Sequence, residues 1–373
     1  MGLKYIAFFV ITTFNDDFSK IFKVSKGEFN MAFLSKDIGI DLGTANTLIY
    51  VKGKGIVLRE PSVVAVARYS KEVHAVGYDA KEMVGKTPDN IIAIKPLKDG
   101  VISDYKMTYE MIKRFLQKVL KSGAFTKPRV VACVPSGVTE VERRAVEEAV
   151  IQSGAKEVYI VEESMAAAIG AGLTVAEPLG NMVLDIGGGT SEAAVISLGS
   201  IVTAKTVRVA GNAFDEAIAS YIKKKHNLLI GERTAEEIKI AIGSVYKLSD
   251  DEPTMDVRGR DNLSGLPRNI TVTSAEIREA LFECAETLVD TVKVTLENTP
   301  PELSADIVTQ GITLTGGGAF LKGLDRLLSE RTLLPVKIAE DPLDCVAKGT
   351  GMVLDTLETL RLVHNDKRPR NRW

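Results

Sequence analysis

The chain has 373 residues, 45% of them hydrophobic and 26% charged, a composition that excludes a disordered chain, a collagen-like chain and a polytopic membrane protein. Its 47 Lys and Arg residues nearly balance 49 Asp and Glu residues, for a net charge of −2, which disfavours general nucleic-acid binding. Three cysteines and three histidines are scattered along the chain, which excludes a disulfide framework and a metal site of the His/Cys type. Any metal would be a hard cation held by carboxylates and phosphate.

The first 30 residues differ in pattern from the rest. Tyr5–Ile11 is an apolar run, but a membrane-spanning helix needs about 20 apolar residues. Three interpretations stay open: a weak anchor, a flexible extension, or translated upstream sequence with Met31 as the true start. We favour the third, because the first predicted folded element follows Met31 directly.

Beyond Met31, predicted strands and helices alternate. The predicted strands are Asp37–Ile40, Thr47–Val51, runs within Ile56–Val66, Pro128–Val134, Val158–Val161, Asn181–Ile186, Glu192–Ser197, Thr203–Val209 and Gly311–Leu314. The predicted helices are Tyr109–Lys121, a helix opened by a Thr139/Glu142 capping box, Ser164–Gly172, Ala213–His226, Ala235–Leu248 and Ser274–Glu297. The tail Arg361–Trp373 carries five basic residues and one acid, hence a charge of +4, and is expected to be disordered.

A short motif occurs twice, about half a chain apart. Asp41-Leu42-Gly43-Thr44 returns as Asp185-Ile186-Gly187-Gly188-Gly189-Thr190, each time after an apolar strand. The repeat predicts two similar α/β halves facing each other across a cleft. Glycine-rich turns let backbone N–H groups approach a phosphate, and the preceding aspartate can order the water around a phosphate-bound Mg²⁺. Two such turns predict a polyphosphate gripped from both sides.

Three further segments are candidates for the same site. Gly316-Gly317-Gly318 follows a predicted strand, and backbone without side chains there would let a flat base or ribose lie against it. Glu236 and Lys239 share a face of a helix for which Thr234 is the predicted N-cap. Glu163 precedes a predicted helix and could polarise a water for attack on a γ-phosphate. Alternatively, it is a carboxylate favoured by the helix dipole.

Long segments of the chain resemble the bacterial actins of the MreB/Mbl family, from about Met31 to about Leu360. The segments that carry the resemblance are DIGIDLGTANTLIYVKGKGIVLREPSVVA, IKPLKDGVISDY, VPSGVTEVERRA, VEESMAAAIGAG, NMVLDIGGGTSEAAVISLGSIV, IGERTAEEIK and TGGGAFLKGLD. The resemblance implies the actin-like ATPase fold, an α/β fold of duplicated ribonuclease-H-like domains with inserted subdomains around a nucleotide cleft. The implied ranges are an extension 1–30, domain I 31–178 with an insertion at 60–107 and a closing C-terminal helix 343–362, domain II 179–342 with an insertion at 213–275, and a basic tail 363–373.

The resemblance also assigns site residues. Asp41 and Asp185 would face Mg²⁺ through water, and Glu163 would activate the attacking water. The residues that would contact ATP are Thr44, Ala45, Asn46, Gly188, Gly189, Thr190, Glu236, Glu237, Ile238, Lys239, Gly316, Gly317, Gly318 and Ala319. One position departs from the family pattern, because Ser164 stands where proline is expected after the glutamate.

The function that the resemblance implies is a cytoskeletal filament that determines rod shape by organising lateral peptidoglycan synthesis. ATP binding and slow hydrolysis would control polymerisation into paired protofilaments. The implied location is the cytoplasm, on the inner face of the cytoplasmic membrane, contacted through Phe33, Leu34 and Phe125. The implied partners are other copies of the chain, the membrane surface and cell-wall synthesis and elongation proteins, with no nucleic acid.

Two other classes are weighed against this function. A sugar or acetate kinase on the same fold would need a base and a pocket for an acceptor hydroxyl, and no motif beyond the nucleotide elements indicates them. A chaperone ATPase would need a separate β-rich substrate domain, for which the chain has no room.

Overall fold

Two five-stranded sheets form the framework of the computed structural model, which describes residues 37–85, 89–120 and 127–366, with side chains as far as 356. The described strands are β1 Ile38–Leu42, β2 Asn46–Val51, β3 Gly55–Pro61, β4 Val64–Ala67, β5 Val73–Val76, β6 Ile91–Ile94, β7 Leu97–Lys98, β8 Val101–Ile102, β9 Arg129–Val134, β10 Glu157–Glu162, β11 Asn181–Ile186, β12 Ser191–Ser197, β13 Ser200–Val207, β14 Leu228–Leu229, β15 Thr254–Asp261, β16 Pro267–Thr273, β17 Ile312–Thr315 and β18 Val336–Ile338. The described helices are α1 Tyr78–Met83, α2 Tyr105–Leu120, α3 Glu140–Gln152, α4 Glu163–Gly170, α5 Gly211–His226, α6 Glu232–Ile242, α7 Ser274–Glu297, α8 Pro301–Gln310, α9 Leu324–Thr332 and α10 Cys345–Asp366, with 3₁₀ turns at Gly317–Phe320 and Pro342–Asp344.

The two sheets have the same topology. The first has the strand order β10-β9-β1-β2-β3, and the second has the order β13-β12-β11-β17-β18. In each, a meander of three antiparallel strands begins at the central strand, whose other edge pairs in parallel with a later strand. Asp41 and Asp185 are both the last but one residue of that central strand. The predicted duplication is therefore confirmed, and it puts the two aspartates in equivalent positions.

Two smaller sheets lie within the predicted insertions. The sheet β5-β4-β6 falls in the range 60–107, and β14-β15-β16 falls in the range 213–275. In sequence, helix α1 lies between β5 and β6, α5 precedes β14, and α6 lies between β14 and β15. These are the elements that reach the mouth of the cleft described below.

The C-terminal helix α10 packs closely on the first half of the chain. A methyl group added to Gly39 of β1 would lie 2.1 Å from Oγ1 of Thr350, and one added to Gly349 would lie 1.9 Å from the carbonyl oxygen of Ala166 in α4. Only glycine allows these approaches, since real Cβ atoms essentially never come so close. Just before α10, Asp344 receives two hydrogen bonds from the guanidinium of Arg59 in β3, at 3.2 and 2.6 Å.

The apolar core follows the sheets. Central strands such as β11 are buried along their whole length, as expected where helices cover both faces of a sheet. Phe115 of α2 is the largest fully buried side chain of the first-half cluster, and Phe214 of α5 that of the second-half cluster. The framework that positions the cleft thus has a well-buried apolar core on both sides.

Several predicted boundaries were wrong. Helix α2 begins at Tyr105, earlier than predicted, because Asp104 caps it by accepting a hydrogen bond from the Met107 N–H at 3.0 Å. Helix α6 begins after Gly231, so Thr234 is not its N-cap, and it ends at Ile242 because Gly243 is extended. The described backbone of α10 continues to Asp366, into the range predicted to be a disordered tail.

No described helix is both long and apolar enough to cross a membrane. The apolar run Tyr5–Ile11, the predicted membrane residues Phe33, Leu34 and Phe125, and the last seven residues of the basic tail lie outside the described residues.

Candidate functional site

A cavity of about 480 Å³ lies between the two sheets, where the glycine turns of both halves meet. Its lining includes the turn after β1, the turn after β11 and the start of α4. It also includes one face of α6 and the glycine cluster after β17. Segments far apart in sequence thus converge at the ends of the central strands, the usual place for a ligand site in an α/β fold.

The two glycine turns touch each other. A methyl group added to Gly188 would lie 2.5 Å from Cβ of Ala45, and one added to Gly189 would lie 2.7 Å from Oγ1 of Thr44. The same Thr44 hydroxyl accepts a hydrogen bond from the Gly100 N–H at 3.0 Å. The absence of side chains on the second turn therefore lets both turns present backbone to one small volume, as a polyphosphate site requires.

Three carboxylates converge at the base of this cavity. Burial, with the charge of Asp185, raises the pKa of Asp41 to about 7. Burial also raises the pKa of Asp185 to about 6, although Thr315 Oγ1 donates a hydrogen bond to it at 2.7 Å. The pKa of Glu163 is well above its usual range because of burial and the charges of both aspartates.

This donor set fits a cation that keeps much of its water. Among the described residues, no three His, Cys, Asp or Glu side chains lie close enough to hold a metal ion between them. Mg²⁺ usually binds one or two carboxylates, several waters and phosphate oxygens. The raised pKa values of Asp41 and Asp185 mark negative charge that a divalent cation would compensate.

Glu163 is the first residue of α4 and lines the cavity. The preceding residue, Glu162, ends β10 and forms an ion pair with Arg143 at 3.0 Å, so it does not compete for the cavity. A carboxylate at a helix start is stabilised by the dipole, yet Glu163 is also turned towards the converging aspartates. Its position and raised pKa are those of a candidate general base.

The charged face of α6 is already paired. Lys239 lies 2.8 Å from Oδ1 of Asp215 and donates a hydrogen bond to the Gly211 carbonyl at 2.9 Å. Burial raises the pKa of Asp215 to about 6, an effect that the lysine partly offsets. Glu236 faces the cavity but accepts hydrogen bonds from Lys81 of α1, at 3.2 and 2.9 Å. A hydroxyl ligand of Glu236 would share the carboxylate with this lysine.

One wall of the cavity is apolar and open. Ile240, Phe320 and Leu343 line it although their exposed fractions are 70%, 57% and 47%. The glycine cluster Gly316–Gly318 lies beside them, and a methyl group added to Gly317 would lie 3.0 Å from Leu343 Cδ2. Exposed apolar side chains inside a cleft are typical of a surface that a flat ligand covers.

Most of the predicted site residues are brought together here. Those that line the cavity are Asp41, Thr44, Ala45, Asn46, Glu163, Asp185, Gly188, Gly189, Thr190, Glu236, Lys239, Gly316, Gly317 and Gly318. Three predicted contacts do not line it: Glu237 pairs with Arg233 at 3.0 Å, and Ile238 and Ala319 are buried in the core. For Glu237 and Ile238 the reason is helical spacing, because Glu236, Lys239 and Ile240 share the face towards the cavity and the residues between them do not.

Sequence reasoning missed other lining residues, among them Asp215, Phe320 and Leu343. No motif marks Asp215 or Leu343, whereas Phe320 directly follows the predicted contact Ala319. The pairing of Asp215 with Lys239 had one local signal, the predicted helix Ala213–His226, which has Asp215 near its start.

Comparisons with known proteins identify the family of the chain. The model of the MreB/Mbl protein family matches residues 35–362. The cell shape-determining protein Mbl of Bacillus subtilis is 55% identical over 326 residues, which are 87% of this chain and 98% of that protein. The cell shape-determining protein MreB of Escherichia coli K12 is 54% identical over 330 residues, 87% of this chain and 94% of that protein.

Solved structures give the same result. The crystal structure of MreB5 of Spiroplasma citri bound to AMPPNP superposes with a TM-score of 0.85 at 41% identity, covering 88% of this chain and 99% of that one. The structure of the same protein bound to ADP has a TM-score of 0.84.

Proposed function

The chain belongs to the MreB/Mbl family and has the actin-like ATPase fold, and we propose that it binds ATP with Mg²⁺ in the cleft. Hydrolysis of the nucleotide controls its assembly into filaments. The observation that carries the proposal is the meeting of two aspartate-led glycine turns, one from each half of the chain, above a third carboxylate. That arrangement holds a polyphosphate from both sides and supplies negative charge for a cation.

Each part of the cleft then has a chemical role. The backbone N–H groups of the turns at Thr44 and Gly188 bind phosphate oxygens, and Asp41 and Asp185 orient the water around the cation. Mg²⁺ supplies charge neutralisation for the phosphates when bound. Glu163 accepts a proton from the attacking water.

The open apolar wall completes the nucleotide site. Ile240, Phe320 and Leu343 cover one face of the base, and Glu236 accepts a hydrogen bond from a ribose hydroxyl. Support for a nucleotide comes from MreB5, which was crystallised with AMPPNP and with ADP.

The cellular part of the proposal rests on the family. Because Mbl and MreB are named cell shape-determining proteins, we propose that this chain determines rod shape by organising lateral peptidoglycan synthesis. It would form paired protofilaments on the inner face of the cytoplasmic membrane, contacted by Phe33, Leu34 and Phe125, and work with wall-synthesis and elongation proteins. Weak apolar anchors suffice on a filament because their effects multiply along it.

Sedimentation combined with phosphate release tests the biochemical part. With Mg²⁺ and ATP, we expect pelleting above a critical protein concentration and slow phosphate release. Asp185→Asn should lose both, because it removes one of the two carboxylates that face the cation. A soluble protein that instead transfers the γ-phosphate to a sugar or to acetate would establish the kinase alternative.

A further inference from the structure

A buried carboxylate behind the cleft joins the two halves of the chain. Glu192 of β12 is only 3% exposed and does not line the cavity. It accepts hydrogen bonds from the Ser136 N–H at 2.9 Å and from the Ser136 hydroxyl at 2.6 Å. Ser136 follows β9 in the first sheet, whereas β12 belongs to the second. A third hydrogen bond comes from Thr206 Oγ1 within the second sheet, at 2.7 Å.

The hydrogen-bonded chain continues to the residue beside Glu163. The Ser136 hydroxyl gives its proton to Glu192, so it accepts from the Ser164 hydroxyl, which lies 3.3 Å away. Ser164 is fully buried and is the second residue of α4. At this position the resemblance to the family implies proline, a residue without a hydroxyl to donate. The serine therefore supplies a donor that proline would lack at this point of the structure.

Such a bridge is sensitive to the relative position of the halves. A buried carboxylate must keep its donors, because an unpaired buried charge is strongly destabilising. A movement of β12 therefore carries Ser136 with it, and Ser164 with Ser136. The charge of Glu192 also contributes to the raised pKa values of Glu163 and Asp185, which puts it within electrostatic reach of both.

We propose that Glu192 is a positioning residue that holds Ser136 across the boundary between the halves. It thereby fixes Ser164 and the neighbouring Glu163, the base for the water that attacks the γ-phosphate. The inference rests on the proposed hydrolysis of ATP. Its consequence is that the approach of the two halves and the placement of Glu163 are one event, so an open subunit hydrolyses poorly.

Two measurements on the full chain test this proposal. The first is backbone amide exchange of the nucleotide-free protein, followed in peptides that contain Ser136 and the start of α4. The second is single-turnover hydrolysis at saturating Mg²⁺–ATP, with the dissociation constant of ATP measured separately. The variants are Glu192→Ala, its conservative counterpart Glu192→Gln, and Ser136→Ala. Ser136→Ala removes only the hydroxyl donor and keeps the backbone N–H, so it tests the bridge even if Glu192→Ala does not fold.

Glu276→Ala is the matched control. Glu276 accepts hydrogen bonds from the Thr273 N–H at 2.9 Å and lies 2.9 Å from His226 Nε2, in a part of the second half that does not line the cavity. Glu276→Ala should lower the melting temperature without changing the single-turnover rate by more than about twofold. The reason is that the effects of substitutions at separate sites with different partners are independent.

For Glu192→Ala we expect faster exchange in both peptides and hydrolysis slowed by about 10- to 100-fold, the cost of a misplaced catalytic group. The ATP dissociation constant should stay within about threefold, and Glu192→Gln should recover most of the rate, because its amide can bond to Ser136. Unchanged exchange in both peptides would overturn the bridge. Faster exchange with an unchanged rate would overturn its coupling to Glu163. If the unmodified chain does not hydrolyse ATP, the proposed function fails, and the exchange result alone decides whether the bridge exists.

Discussion

At the scale of single residues, Asp41 combines burial with a neighbouring negative charge. Its pKa is raised from 3.8 to about 7, so the folded chain retains a proton that the unfolded chain loses above pH 4. The contribution of Asp41 to the stability of the nucleotide-free protein is therefore expected to fall as pH rises from about 4 to about 7, and then to level off.

Asp41→Asn removes this effect. At pH 8 the variant should melt roughly 2–6 °C higher than the unmodified protein, and near pH 4 the two should melt together. Thermal unfolding at both pH values, without nucleotide or metal, measures the difference. Asp290→Asn, on the exposed face of α7, is the control. A variant that is less stable at pH 8 would show that the charge of Asp41 is compensated within the protein.

Glu163 carries the second prediction at this scale. Glu163→Gln keeps the shape of the side chain but cannot accept a proton from water, so phosphate release should slow by about 10²- to 10⁴-fold. The affinity for Mg²⁺–ATP should change by less than about threefold, since the phosphates are held by the glycine turns. Glu162→Gln is the matched control, because its carboxylate pairs with Arg143 outside the cavity. Loss of ATP binding in Glu163→Gln would contradict the role of a base.

At the scale of elements, the contact between the two glycine turns leaves no room for a side chain on the second turn. A methyl group on Gly188 would lie 2.5 Å from Cβ of Ala45 and 3.1 Å from its backbone nitrogen. Gly188→Ala should therefore push the turns apart and weaken ATP binding by at least about tenfold, a cost of the order expected for overpacking.

A double variant distinguishes this clash from a general loss of backbone flexibility at Gly188. Gly188→Ala with Ala45→Gly should recover part of the affinity, since the nearest clash is then removed. Gly231→Ala is the control, because an added methyl group there meets no atom within 4 Å. Equal affinity for all variants, measured by titration with ATP, would mean that the turns do not hold the nucleotide.

A second element-scale feature closes the mouth of the cleft. Helices α1 and α6 are joined by the ion pair of Lys81 with Glu236 at 2.9 Å. Lys95, just after β6, pairs with Glu232 of α6. Each pair is partly exposed, so its contribution is small and screened by salt.

Lys81→Gln should speed the release of bound nucleotide by about two- to fivefold at low salt, as loss of a surface ion pair predicts. The difference from the unmodified protein should shrink at 0.5 M salt, where screening has already weakened the pair. Stopped-flow release of a fluorescent nucleotide measures it, with Lys293→Gln on the exposed face of α7 as the control. Slower release in Lys81→Gln would show that Lys81 competes with the ribose for Glu236 more than it closes the cleft.

Local signals in the sequence predicted local structure well. The bounds of α7 and the capping box of α3 match the prediction because a threonine side chain at each start accepts a hydrogen bond from the backbone. The start of α6 was missed because Gly231 has no side chain to cap it. The sequence did not predict that Glu192 pairs with Ser136 or that Asp215 pairs with Lys239. The partners lie far apart in sequence, and no periodicity encodes such pairings.

At the scale of the whole molecule, membrane contact is a separate prediction. Apolar side chains that insert between lipids gain about 25 cal/mol per Å² of buried surface. Phe125→Ser, combined with Phe33→Ser and Leu34→Ser, should therefore abolish flotation with anionic vesicles while pelleting with ATP persists. Undiminished flotation of the triple variant would assign the contact to another segment.

Nucleotide in the cleft is proposed to control assembly of the chain. Electron microscopy of the full chain with vesicles and Mg²⁺, with and without ATP, tests it most directly, alongside the chain that begins at Met31. We expect paired filaments on the vesicles with ATP, and only scattered subunits without it. Isolated subunits under every condition, or filaments that form equally without nucleotide, would contradict it.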